Sequence, residues 1–133
     1  MANEKRPAKG RAVFYTRDSG GKHECTPGQY ISWAARDAAQ RGLQFSGTPT
    51  QIDTMIREGR FADRDVFSDF DVQGHIIDRK GLNALFEEVK RDQNVSHVYI
   101  PRRDRLSRAE DPLEAAQLEN ALRQMGVWII YMD

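Results

Sequence analysis

Near its N terminus the chain reads Ala12-Val13-Phe14-Tyr15-Thr16-Arg17-Asp18-Ser19, an apolar run that passes directly into polar residues. Such an apolar run is typical of a buried β-strand. A second apolar run, Val98-Tyr99-Ile100, is followed by Asp104-Arg105-Leu106-Ser107-Arg108. In an open α/β sheet, ligands bind at the carboxyl ends of parallel strands. The sequence therefore predicts that Ser19 and these arginines meet at one edge of a sheet.

Helical patterns separate the strands along the chain. The predicted helices run from Pro27 to Arg41, from Thr48 to Gly59, from Asp78 through Val89 and from Pro112 to near Gly126, and further strands are predicted at 65–70, 95–100 and 127–132. Ile56 in the second helix and Leu113 in the last are expected to face the core. Strands that alternate with helices predict an α/β fold of three layers, a mostly parallel sheet with helices on both faces.

Composition limits the class of protein. The 133 residues include 20 basic and 20 acidic side chains, so bulk charge does not predict a nucleic-acid binder. The single cysteine, Cys25, excludes an internal disulfide, and no His/Cys set has the spacing of a structural zinc site. No apolar stretch approaches the roughly 20 residues of a membrane span. We expect a flexible tail at 1–10, one domain at 11–133, and an intracellular protein.

Ser19 and the arginines have the chemistry that attack on a phosphodiester requires. A serine hydroxyl is a weak nucleophile until its surroundings activate it, and Arg17 supplies positive charge two residues earlier on the same side of an extended chain. Arg105 and Arg108 would project from one face of a helical turn. Their planar, permanently charged groups could hold a phosphate between them.

A third stretch of interest is Asp78-Arg79-Lys80-Gly81-Leu82, which Asp69 precedes. Together with the stretches around Ser19 and Arg105, it resembles the catalytic domain of the serine recombinases, the resolvase and invertase family. The resemblance implies a flavodoxin-like fold in which Ser19 attacks the scissile phosphate to form a 5′-phosphoserine linkage before strand exchange and religation. It implies that Arg17, Arg79, Arg105 and Arg108 are phosphate ligands and that Asp104 handles protons or orients the arginines. Tyr15 and Asp69 are expected to support the site, and neither a metal ion nor another cofactor is implied.

The resemblance also implies the partners. Family members act on duplex DNA, and the full-length protein is expected to form a dimer and a tetramer, away from membranes, in the cytoplasm of a prokaryotic, plasmid, phage or mobile-element host. Integration, inversion and resolution all stay open as outcomes. In the family a long subunit-pairing helix and a DNA-binding region follow the last strand, so we expect a chain ending at Asp133 to be an excised catalytic domain.

The chain departs from the family pattern in two places. The loop after Ser19 holds Lys22-His23-Glu24, and the nearest glutamine is Gln29, so a helping glutamine is in doubt. The segment 43–64 adds about one helix to the family's usual short connection.

Two rival functions stay open. The first is a noncatalytic α/β binding or regulatory module, because fold alone does not imply function. The second is a metal-dependent phosphoryl-transfer enzyme built on Asp69, Asp71 and Asp104. A chelator should abolish the activity of the metal-dependent enzyme and leave that of the recombinase unchanged, because serine transesterification needs no metal.

Overall fold

The structure, a computed structural model, describes residues 10–18, 26–70, 79–107 and 112–132. Within those ranges it contains five strands and four helices. In chain order they are β1 (Arg11–Asp18), α1 (Pro27–Arg41), α2 (Pro49–Glu58), β2 (Ala62–Asp63), β3 (Val66–Phe70), α3 (Lys80–Arg91), β4 (Val95–Ile100), α4 (Pro112–Gln124) and β5 (Trp128–Tyr131). The predicted alternation of strands and helices is confirmed.

The strands form one sheet in the order β2-β3-β1-β4-β5. β1 is parallel to both of its neighbours, β3 and β4, and β4 is parallel to β5. Only β2 runs antiparallel, as a short hairpin with β3. The connection from β3 to β4 crosses β1, as in doubly wound folds of the flavodoxin type. The predicted mostly parallel sheet is therefore confirmed.

The helices cover both faces of the sheet. Alternate residues of β1 divide between two apolar clusters: Ala12 and Phe14 pack with α1 and α2, while Val13 and Tyr15 pack with α3 and α4. All four side chains are fully buried. A central strand covered on both faces needs apolar residues at successive positions, which explains the unbroken run at the start of β1.

Local signals fix the ends of α1 and α2. Thr26 and Thr48 each form a capping box with a glutamine three residues later, and a proline follows each cap. Gly42 and Gly59 end the two helices in the left-handed conformation, with φ of 75° and 67°. These boundaries agree with the prediction because every group involved lies within a few residues of the helix end.

The structure corrects two expectations and adds one strand. Ile56 is 40% exposed and Leu113 is 67% exposed, so neither belongs to the core. In α2 only Ile52 and Met55 are buried. In α4 the buried positions are Ala115, Glu119 and Leu122, so Leu113 lies on the other side of the helix. The hairpin strand β2 was not predicted, because two residues give no periodic signal. No helix in the described ranges is long and apolar enough to span a bilayer.

Candidate active site

The carboxyl ends of β1, β3 and β4 lie side by side where the chain changes its direction of winding. Arg17 of β1 pairs in register with Asp69 of β3, and the other neighbour of β1 is β4. A crevice forms at such a point because the connections on its two sides lead to opposite faces of the sheet. Residues 101–107, which follow β4, lie at this same edge.

Arg17 joins the end of β1 to the loop after β4. Its side chain is only 8% exposed, and its Nη2 donates a hydrogen bond to the main-chain oxygen of Asp104 at 3.0 Å. The contact spans 87 residues of sequence. A buried guanidinium is thus fixed at the mouth of the crevice, beside the loop that carries Arg105.

A helical turn follows β4 as expected, although Arg108 of the expected Arg105–Arg108 pair lies outside the described residues. A 3₁₀ turn runs over Arg103–Arg105, and Leu106 and Ser107 that follow it are buried. Arg105 is half-buried. Leu106 belongs to the apolar cluster of α3 and α4, so its side chain anchors the turn to the core.

Arg103 fixes the same loop to α4. Its Nε and Nη2 donate to the two carboxylate oxygens of Glu119 at 3.2 and 3.0 Å, and Glu119 also accepts a hydrogen bond from Tyr131. Sequence reasoning missed this anchor. Glu119 lies four residues after Ala115 and three before Leu122, both buried, so its position within the buried stripe was the available signal.

Asp69 organises the start of α3. Its Oδ1 accepts from the main-chain nitrogen of Gly81 at 2.7 Å, and its Oδ2 accepts from that of Leu82 at 3.0 Å and from the Tyr15 hydroxyl at 2.7 Å. A carboxylate is favoured where main-chain N–H groups open a helix. Asp69 therefore acts as a remote cap, whereas the predicted cap Asp78 lies outside the described residues.

Gly81 is required for this arrangement. A Cβ built on Gly81 would lie 2.4 Å from the main-chain oxygen of Ser68, which is shorter than any tolerable contact. The first turn of α3 can approach β3 only because this position lacks a side chain. That approach places Arg79, which immediately precedes α3, beside Tyr15.

The Tyr15 hydroxyl connects Asp69 to Arg79. Burial raises the pKa of Tyr15, the Asp69 carboxylate raises it further, and Arg79 only partly opposes the shift, so the pKa lies far above its usual value. The phenol therefore keeps its proton, and its hydroxyl donates a hydrogen bond to the Asp69 carboxylate. The hydroxyl of this fully buried phenol is bonded to Asp69 and Arg79.

Arg79 contacts three elements of the site. Its Nη1 donates to Glu114 Oε1 at 2.7 Å, and its Nη2 donates to the main-chain oxygen of Leu106 and, at 3.4 Å, to Tyr15 Oη. Burial lowers the pKa of Arg79, but Tyr15 and Glu114 more than offset this, so its pKa is raised. The guanidinium is thus held, fully charged, against the loop that carries Arg105.

These contacts weaken the case for a metal site. Both oxygens of Asp69 already accept hydrogen bonds from α3, whereas Asp104 Oδ1, 3.7 Å from Arg102 Nε, accepts no hydrogen bond within the described residues. Asp71, the third carboxylate of that rival, lies outside the described residues. Ser19 and Arg108 lie outside them as well. In the part of the chain that is described, the structure joins Tyr15, Asp69 and Arg79 to one another, and it joins Arg17 and Arg79 to the main chain on either side of Arg105.

Comparison with known families identifies the domain. The model of the resolvase N-terminal domain matches residues 36–133, more than half of the chain. The chain belongs to the resolvase family. Resolvases are serine recombinases, so the predicted family is confirmed, and the matched domain is their catalytic domain, which acts on DNA within oligomeric assemblies. Searches of curated proteins and of solved structures found no match.

The resolvase match covers the part of the site that follows residue 36 and leaves out β1. It begins at residue 36, inside α1, and includes β3, α3, β4 and the loop that follows β4. Tyr15, Arg17 and Ser19 precede the matched range. The place of β1 in the site therefore rests on the geometry of Arg17 and Tyr15, which contact the matched part of the chain directly.

Proposed function

We propose that this resolvase domain transfers DNA strands through Ser19. The serine oxygen forms a bond to the scissile phosphorus as the bond from phosphorus to the 3′ oxygen breaks. The products are a 5′-phosphoserine linkage and a 3′ hydroxyl, and the reverse reaction on a new 3′ hydroxyl religates the exchanged strand. The bond energy is conserved in the phosphoserine, so the exchange requires no nucleotide.

One observation carries the proposal: two arginines from different elements donate to the main chain on either side of Arg105. Arg17 binds the oxygen of Asp104, and Arg79 binds the oxygen of Leu106. Two guanidinium groups are thereby held against the loop that carries Arg105. Guanidinium groups suit phosphate oxygens because their N–H groups form a planar fork, and fixed positive charge stabilises the additional charge of the transition state.

We assign the remaining roles by position. Arg108 follows the same loop and completes the group of phosphate ligands. Asp104 exchanges the proton of the reacting oxygens or orients the arginines; its carboxylate lies 3.7 Å from Arg102, and its main-chain oxygen binds Arg17. Tyr15 and Asp69 hold Arg79 and the start of α3 in place.

The proposal extends to the assembly. Residues 11–133 form the catalytic unit together with Gly10, which was expected in the tail but is buried and bonded to Ser96 and Gln44. The partner is duplex DNA, and four subunits each break one strand before exchange. The host is a prokaryotic cell or a mobile element within it.

The proposal is tested by covalent capture. The protein is incubated with a pool of randomised duplex DNA, denatured, and analysed for protein-linked DNA, with and without a chelator. We expect capture with the wild type and with Ser107→Ala, which changes a buried serine of the loop after β4, and none with Ser19→Ala. The chelator should have no effect.

Three results would contradict the proposal. Capture by Ser19→Ala would assign the nucleophile to another residue. Loss of capture in the chelator would favour the metal-dependent rival. No capture by the wild type, with DNA binding intact, would favour the noncatalytic module.

A further inference from the structure

Arg79 is held in the described state by a carboxylate of α4. Glu114 lies in the first turn of that helix, and its Oε1 accepts from Arg79 Nη1 at 2.7 Å across 35 residues of sequence. The Arg79 side chain is 23% exposed and that of Glu114 is 42% exposed, so the pair lies at the border between the site and solvent. Of the three acceptors that bind Arg79 here, only Glu114 carries a formal charge.

These contacts use the donors that a phosphate needs. Nη1 points to Glu114, while Nη2 is shared between the Leu106 oxygen and Tyr15 Oη. Arg79 Nε is buried and has no acceptor within the described residues. A phosphate accepts two parallel N–H bonds from one guanidinium, so it can bind Arg79 in that way only after some of these acceptors have been exchanged.

We propose that Glu114 is a positioning residue that holds Arg79 against α4 and competes with the DNA phosphate for it. This rests on the proposed role of Arg79 as a phosphate ligand. When DNA binds, one anionic acceptor replaces another on the same guanidinium, and the Glu114 carboxylate turns to solvent. The ion pair therefore keeps the site in a resting state until a phosphate displaces it.

The location of Glu114 suits a reversible contact. A carboxylate in the first turn of a helix is stabilised by the N–H groups there, so Glu114 keeps a favourable environment after Arg79 leaves. Its exposure allows water to screen the pair, and exposed ion pairs shift an equilibrium only slightly, by roughly two- to fivefold. The ion pair between Glu114 and Arg79 is therefore strong enough to favour the resting position of Arg79 and weak enough for a phosphodiester to replace the Glu114 carboxylate.

The test is a titration of the chain with inorganic phosphate, followed by the NMR signal of the Arg79 Nε–H group. Glu114→Gln keeps the size of the side chain and removes its charge, so phosphate should bind Arg79 roughly two- to fivefold more tightly than in the wild type. High salt should reduce the difference, because it screens the ion pair. Glu87→Gln is the matched control: Glu87 is exposed on α3, and its loss changes the net charge equally.

A double variant separates a role through Arg79 from a general effect. In an Arg79→Met background, where phosphate binding is followed by the main-chain signal of Arg105, Glu114→Gln should no longer change the phosphate affinity. Affinity that is unchanged or weaker in Glu114→Gln, an equal gain in Glu87→Gln, or a gain that persists without Arg79 would each overturn the proposal. Ser19→Ala should titrate as the wild type does. If the serine chemistry fails, this phosphate titration is therefore unaffected. If the titration fails, the assignment of Ser19 as nucleophile is likewise unaffected.

Discussion

Arg17 Nη2 lies 3.0 Å from the main-chain oxygen of Asp104, so the end of β1 and the loop after β4 are joined by a buried guanidinium. These two segments are 87 residues apart in the sequence. The contact places the end of β1 and the loop that carries Arg105 at one edge of the sheet. It also shows that Arg17 serves the architecture of the site before any substrate binds.

Arg17→Lys should reduce the rate of covalent capture by about a hundredfold or more, since removal of one preorganised donor from a transition state typically has that effect. A lysine keeps the charge but lacks the planar fork that reaches both the loop and a phosphate. The rate is measured with trapped DNA–protein adducts. Arg57→Lys, an exposed change on α2, is the control. Equal capture rates for the two variants would show that Arg17 takes no part in the reaction.

Tyr15→Phe should lower the free energy of unfolding by about 1–3 kcal/mol, because the buried Asp69 carboxylate loses a donor. Urea denaturation measures this loss, and Tyr30→Phe on the opposite face of the sheet is the control. Covalent capture should be slower but still detectable, because the phenol orients Arg79 and does not attack DNA. Complete loss of capture in a folded Tyr15→Phe protein would contradict that role.

Gly81→Ala should destabilise the protein, although alanine normally stabilises a helix by about 0.5–1 kcal/mol relative to glycine. The new Cβ would lie 2.4 Å from the Ser68 oxygen, which forces α3 away from β3. We expect a loss of about 1–3 kcal/mol in thermal or urea unfolding. Asn83→Ala, exposed on the same helix, should be neutral or stabilising. A stabilised Gly81→Ala protein would show that this close approach is absent.

Glu88 should make stability depend on pH at the opposite end of the sheet, where Arg11 binds Asp65, Glu88 and Asp92. Burial raises the pKa of Glu88, but hydrogen bonds from Arg91 and Arg11 outweigh burial, so its pKa lies below the usual 4.5. A lowered pKa means that the stabilisation is complete above about pH 4.5 and is lost as the pH falls through the folded value.

The corresponding measurement is urea unfolding of the wild type and Glu88→Gln at pH 7 and pH 3. We expect the variant to be less stable by on the order of 1 kcal/mol at pH 7, with a smaller gap at pH 3. A gap that stays constant between the two pH values would show that the charge of Glu88 does not stabilise the fold.

The sequence predicts those features that depend on neighbouring residues. The caps at Thr26 and Thr48 and the stops at Gly42 and Gly59 are local, and the structure places them as expected. The apolar run of β1 likewise identifies a strand that is covered on both faces.

The partners of the site residues could not be predicted in the same way. Tyr15 donates a hydrogen bond to Asp69, which is 54 residues away in the sequence, and Arg79 donates to Glu114, which is 35 residues away. Both contacts depend on the order of strands in the sheet and on where α4 packs, which no local pattern encodes. Glu114 in particular has the appearance of any acidic residue in the first turn of a helix.

The central claim is that Ser19 forms the bond to DNA, and mapping of the adduct tests it most directly. Trypsin releases residues 18–22 as one peptide, in which Ser19 carries the single hydroxyl group. After capture and nuclease digestion, mass spectrometry should find the remaining phosphonucleoside on that peptide. A remnant on the peptide of residues 12–17, which contains Tyr15, or on that of residues 106–108, which contains Ser107, would contradict the account.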